Sequence, residues 1–124
     1  MAFEQPGVVV TLEAGADLST KQYHFIKVTG AQTCNAITAT TDKPVGVLQN
    51  KPAAVGRAAT VNVDGITKMI AGGAVPAGSP ISFNAAGQAI VATTGLVIHG
   101  TALGSAGAVN DLVSVVLNLN QTTA

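Results

Sequence analysis

Residues 45–65 read Val-Gly-Val-Leu-Gln-Asn-Lys-Pro-Ala-Ala-Val-Gly-Arg-Ala-Ala-Thr-Val-Asn-Val-Asp-Gly. They describe a short strand, a turn rich in Pro, Ala and Gly, and a second strand. In the second strand Ala59, Val61 and Val63 face one way and Thr60, Asn62 and Asp64 the other, the period of a half-buried strand. Asp64-Gly65 is a tight-turn signal, so Ile66–Ala71 is expected to return as its partner. The pattern comes back without a gap at His99–Leu117. Gly46 falls on Gly100, Ala54 on Ala108, Val55 on Val109, Thr60 on Ser114, Val61 on Val115 and Val63 on Leu117. Two similar strand–turn–strand units are therefore expected to build one small body.

Outward from this stretch the same character continues. Val8–Glu13 is β-branched and follows Pro6-Gly7. Gln22–Val28 alternates, with Thr29-Gly30-Ala31 breaking it. Thr33–Thr41 is rich in Thr and Ala and reads as a strand or an ordered loop. Gly72-Gly73 and Pro76-Ala77-Gly78 make a loop. Further strands are expected at Pro80–Asn84, Gln88–Ala92, Val97–Leu103 and Leu112–Leu119, and the polar tail 120–124 is expected to fray. No segment sustains a 3.6-residue apolar period with caps. The fold class is all-β: a small β-barrel- or β-sandwich-like single domain. Residues 1–12 form an N-terminal arm or edge strand, and residues 13–119 form the body.

The chain has 124 residues, enough for one domain with a real core. Its aromatics are Phe3, Tyr23, Phe25 and Phe83, with no Trp, so the core must come from Val, Ile, Leu and Ala. Alanine buries little area, which leaves the monomer modestly stable and makes self-association a natural source of further burial. Six basic and six acidic residues cancel, and the Lys and Arg are scattered. That argues against nucleic acid as a partner, since phosphate binding needs clustered cations. So charge-poor a surface points to cover by protein partners. No apolar run approaches the ~20 residues of a membrane helix. Met1–Gln5 lacks the features of a secretory leader, so neither membrane nor export is expected. Cys34 is alone and reads as a buried inert thiol.

No catalytic or cofactor motif stands out. Leu103-Gly104-Ser105-Ala106-Gly107 has the wrong spacing for a nucleophile elbow, and His24 and His99 sit in no metal-binding spacing. The six carboxylates lie at turns and strand ends rather than in an acid/base pair. The expectation is a non-enzyme with no cofactor and no metal.

Several strings together resemble the capsid decoration (head cement) proteins of tailed phages. They are Asp17-Leu18-Ser19, Lys21-Gln22-Tyr23, Phe25, Lys27-Val28, Val45–Ala54 (VGVLQNKPAA), Gly65–Lys68, Ala77-Gly78 and Ala86–Ala89. The likeness runs from about residue 17 to 119, and Val45–Ala54 with its spacing to Gly65 is the most specific part. The resemblance implies a structural virion protein, made in the host cytoplasm and added to the outer capsid surface. There it would clamp neighbouring major capsid protein subunits and assemble as a homotrimer. Many weak contacts on a lattice add up through effective concentration.

On this reading the capsid-contact candidates are Phe3, Glu4, Gln5, Pro6, Val8, Val9 and Val10. Val8, Val9, Val10 and Leu12 either add a strand to a neighbour's sheet edge or form an internal strand, with residues 1–7 the better part of an arm. Asn50, Lys51 and Pro52 form a shaped turn and are the candidates for a subunit contact. The alternative is a small β ligand-binding or adhesion/fibre module, which needs a concave site with aromatic or polar anchors.

Overall fold

The computed structural model describes residue 2 and residues 5–123, without the side chains of residue 6 and residues 119–123. Among the described residues there is no helix. The strands are β1 (Gln5–Ala14), β2 (Phe25–Gly30), β3 (Thr33–Ala36), β4 (Gly46–Leu48), β5 (Ala58–Ile70), β6 (Pro80–Phe83), β7 (Ala89–Val91), β8 (Val97–Ala102) and β9 (Leu112–Thr123). They form one sheet in the order β1-β3-β2-β4-β5-β9-β8-β6-β7, and β1 also pairs with β5. That extra pairing closes the first five strands into a ring. A parallel bridge between Ala71, just after β5, and Ala89 in β7 closes the other side in the same way. The fold is thus two small barrels sharing one long strand, and the all-β, single-domain expectation holds.

The internal repeat is larger than the two strand–turn–strand units seen in the sequence. In β4 and β5, Val47 faces Asn62 and Leu48 faces Val61; 54 residues on, Thr101 faces Val116 and Ala102 faces Val115. Ile26 faces Ala36 and Val28 faces Cys34, just as Ile81 faces Val91 and Phe83 faces Ala89. Leu12 faces Ala59 and Val10 faces Val61, just as Met69 faces Val113 and Thr67 faces Val115. Residues 9–63 and 66–117 therefore follow the same ladder plan. Gly46 and Gly100 show why glycine recurs: a Cβ on either would lie 2.5 Å from the Asn62 carbonyl oxygen or 2.6 Å from that of Val116.

The hairpin expected at Asp64-Gly65 is not there. β5 runs straight through it for 13 residues. Gly65 has φ of 91°, and the pairing with β1 shifts register on either side of Val8, so the strand bends without reversing. Each half of β5 already has antiparallel partners in its own ring: β1 and β4 for the first half, β9 for the second. Local turn propensity yields to these longer ladders. Likewise β2 starts only at Phe25, because Tyr23 adopts a left-handed φ of 63°. Thr33–Thr41 resolves into β3 followed by a loop. β9 carries the polar tail onward as far as Thr123, where Thr122 and Thr123 pair with Ile98 and Val97 rather than fraying.

Two clusters fill the rings. Ala14, Leu18, Ile26, Cys34, Leu48, Ala59 and Val61 fill the first. Met69, Ala71, Val75, Ile81, Phe83, Ala89, Val113 and Val115 are among those filling the second, joined from the first unit by Phe25, Ile37 and Val47. The Cys34 thiol is buried, and burial pushes its pKa up, which keeps it protonated.

Candidate interaction surface

The junction between the two units is built from aromatic rings. The Phe25 ring lies 5.5 Å from Phe83 and 5.7 Å from His99, and Phe83 stacks on His99 at 5.3 Å. These separations suit favourable aromatic pairs. His99 is buried, and its Nδ1 has no hydrogen-bond partner among the described residues. Burial in this apolar setting lowers its pKa, so the ring is held neutral.

Backbone contacts reinforce the junction. In the first unit the Glu13 N–H donates to the Gln32 carbonyl at 2.7 Å. The equivalent groups of the second unit, Ile70 N–H and Gly87 C=O, do not meet. Instead the segment Tyr23–Phe25 inserts between them: Ile70 N–H donates to the Tyr23 carbonyl (3.0 Å) and Phe25 N–H donates to the Gly87 carbonyl (2.9 Å). Gly87 has φ of 83°, and a Cβ there would lie 2.7 Å from the Phe25 carbonyl oxygen, so close docking of the first unit requires glycine.

Next to the junction, Asp42 organises the loop after β3. Its carboxylate accepts from Thr38 N–H (2.9 Å), Ala39 N–H (3.1 Å) and the Lys27 ammonium (2.9 Å). The Thr38 backbone bond, followed by the Lys27 contact, holds its pKa at about 2. A groove of about 520 Å³ lies where the two units meet, with Tyr23, His24, Lys51, Ile70 and Leu112 in its wall. His24 Nδ1 lies 2.9 Å from the Gln22 carbonyl, and burial lowers its pKa. Among the described residues no group of three or more His, Cys, Asp or Glu could hold a metal ion.

The candidates named from sequence are scattered. Phe3 and Glu4 lie outside the described residues. Gln5 and Pro6 begin β1 opposite Ile66 and Gly65, so the chain is tied into the body from residue 5 onward. Val8 and Val9 are both about half exposed (49% and 45%) because the bulge between them breaks the alternation. Val10 packs against the first core. Of β1, only Glu13 and Ala14 also pair with β3, so among the described residues the rest of it has a ladder partner on one side alone, β5. Asn50 is spent internally: its Nδ2 donates to the Ala58 carbonyl (3.0 Å) and its Oδ1 accepts from Thr60 N–H (2.9 Å). Pro52 is buried, and its carbonyl accepts from Leu18 N–H. Lys51 alone of the three is exposed.

The sequence reading missed the most exposed apolar features. Residues 53–57 and 107–111 are exposed loops that lead into β5 and β9. Val55 (73% exposed) and Val109 (53%) crown them. The repeat had already aligned these two valines, which was the available signal.

A chain made of two fused, register-matched β-barrels with apolar loop crowns is a class of fold before it is a function. No protein-family model matches the chain. No curated protein matches it either. Among solved structures it is similar to the N base of head fiber gp8.5 in bacteriophage phi29, with a TM-score of 0.69 and 20% identity. The likeness covers 94% of this chain and 98% of that one, and it is a likeness of fold.

Proposed function

We propose that this chain is a structural virion protein that binds the outer surface of a tailed-phage capsid and stabilises the head by clamping neighbouring major capsid protein subunits. The observation that carries this reading is the fold shared, over nearly the whole of both chains, with a base that belongs to a phage head fiber. A charge-poor surface carrying exposed valines on loops and on β1 supports protein–protein contact. Assembly as a homotrimer, closed about a three-fold axis, belongs to the same proposal. The test is co-sedimentation of the purified chain with heads of its phage stripped of it, alongside native mass of the isolated protein. Binding that saturates on the heads and raises their resistance to heat is expected. Free protein at every head concentration would overturn the reading, and a monomer at high concentration would remove the trimer.

A second reading, a small ligand-binding or adhesion/fibre module, is favoured by the groove beside Tyr23 and His24. It predicts sedimentation with host-cell envelopes rather than heads.

A further inference from the structure

The two exposed crowns match in more than sequence. Gly56 N–H donates to the Ala14 carbonyl and Asn110 N–H to the Ala71 carbonyl, each at 2.8 Å. Gly56 and Asn110 both adopt left-handed φ, 84° and 72°. Arg57 N–H closes on the Ala54 carbonyl (3.2 Å) and Asp111 N–H on the Ala108 carbonyl (3.3 Å). The same turn is thus built twice and holds Ala-Val outward both times. It is also built at each end of β5. The first crown feeds directly into Ala58, where β5 begins; the second feeds into Leu112, which pairs with Ile70, where β5 ends. Thirteen strand residues rising about 3.3 Å each would set the ends of a straight β5 about 40 Å apart, and the bend at Gly65 brings them closer: Lys51, ahead of the first crown, and Asn110 and Leu112 of the second line one groove.

The surroundings of the crowns differ in charge. Arg57 is exposed beside the first. At the second, the Asp111 carboxylate turns back to accept from Gly107 N–H (3.2 Å) and Ala108 N–H (3.1 Å). What the two share outward is the valine. An exposed valine held on a bonded turn, repeated at both ends of β5, suits a partner that presents the same shallow apolar socket at regular intervals.

We infer that Val55 and Val109 are a pair of equivalent feet that seat this chain across two neighbouring copies of one shell subunit, making it a bivalent bridge. The inference rests on the capsid-binding proposal and supplies its contact residues. Linking two weak contacts on one folded body raises apparent affinity by roughly 10²–10⁴ over either alone.

The experiment compares wild type, Val55→Ser, Val109→Ser and the double variant for co-sedimentation with stripped heads, with thermal unfolding as a control. Exposed loop substitutions of this kind leave the fold intact; Val55→Asp and Val109→Asp give an independent second set. Each single variant is expected to bind at least about 10-fold more weakly, and the double variant at least about 100-fold. Failure of wild type to bind heads would overturn the capsid-binding proposal itself. Wild-type binding with an unimpaired double variant, or with loss at only one of the two valines, would overturn the bivalent bridge. A fall in the native mass of the isolated protein caused by either variant would assign the valines to a second copy of the chain, and would overturn it too.

Discussion

Phe83 is buried in the second barrel, whereas Val28, at the same place in the first, is half exposed (50%). Gly87 stands where the first unit has Gln32, His99 where it has Val45, and Phe25 of the first unit corresponds to Pro80 of the second. The ladders are the same; these junction positions are not. The difference has a direct consequence. Phe25 gives its N–H to Gly87, but proline has no N–H to give. A Cβ at position 87 would strike the incoming carbonyl, and Gln32 carries one. The contact that joins the first unit to the second therefore has no equivalent between the second unit and the first unit of another copy. The two barrels share a backbone plan but not the residues that dock one on the other.

That comparison is broken most severely by Phe25→Ala. Removing the ring that reaches into the second core is expected to cost about 3–5 kcal/mol in urea unfolding. A loss below about 1 kcal/mol would show that the junction carries little of the stability. Gly87→Ala comes next, with a clash against backbone and a strained φ, and is expected to cost at least about 2 kcal/mol. Its counterpart Gln32→Gly should stay within about 0.5 kcal/mol, because nothing docks there. Equal effects at the two positions would contradict the asymmetry. Gly46→Ala and Gly100→Ala sharpen the shared side of the comparison: each is expected to cost about 1–3 kcal/mol, and by similar amounts, since both would crowd the same carbonyl of the facing strand.

The smallest effect is one of pH. His99 is held neutral by burial, below its ordinary 6.5. As pH falls through about 6.5 the unfolded chain takes up the proton first, so stability is full above that pH and is lost below it. His24 is depressed in the same direction. His99→Val gives the second unit the residue of the first and is expected to flatten, without abolishing, the decline below about pH 6.5. Chemical denaturation across that range reads it directly; an unchanged slope would remove His99 as a source.

Much of the fold was legible because strands report themselves locally. The alternation in Ala58–Asp64 and the glycines at 46 and 100 identified real ladders, and the gapless echo between Val45–Gly65 and His99–Leu117 marked the later half of each repeat. The earlier half, residues 9–36 against 66–91, stayed hidden because its spacing drifts by a few residues in the loops and few identities survive. Asp64-Gly65 misled for a related reason: the dipeptide turns a chain when the flanking strands are each other's best partners, and here β1 and β9 were better ones. Of the contact candidates, Asn50 and Pro52 carried the right chemistry for a shaped turn, but that turn consumes their polar groups internally.

By itself the sequence determined that this protein is all-β, built from repeated short strands, poor in charge and without a recognisable catalytic motif. Those properties follow from residue type and spacing, which act over a few neighbours. Only the tertiary structure decided that β5 is one strand serving two barrels, that Phe25 belongs to the core of the other unit, and that the turns carrying Val55 and Val109 sit at the two ends of β5. Each of those depends on which distant segments pair, and pairing is settled by competition among ladders and cores across the whole chain, where no local window can see the outcome.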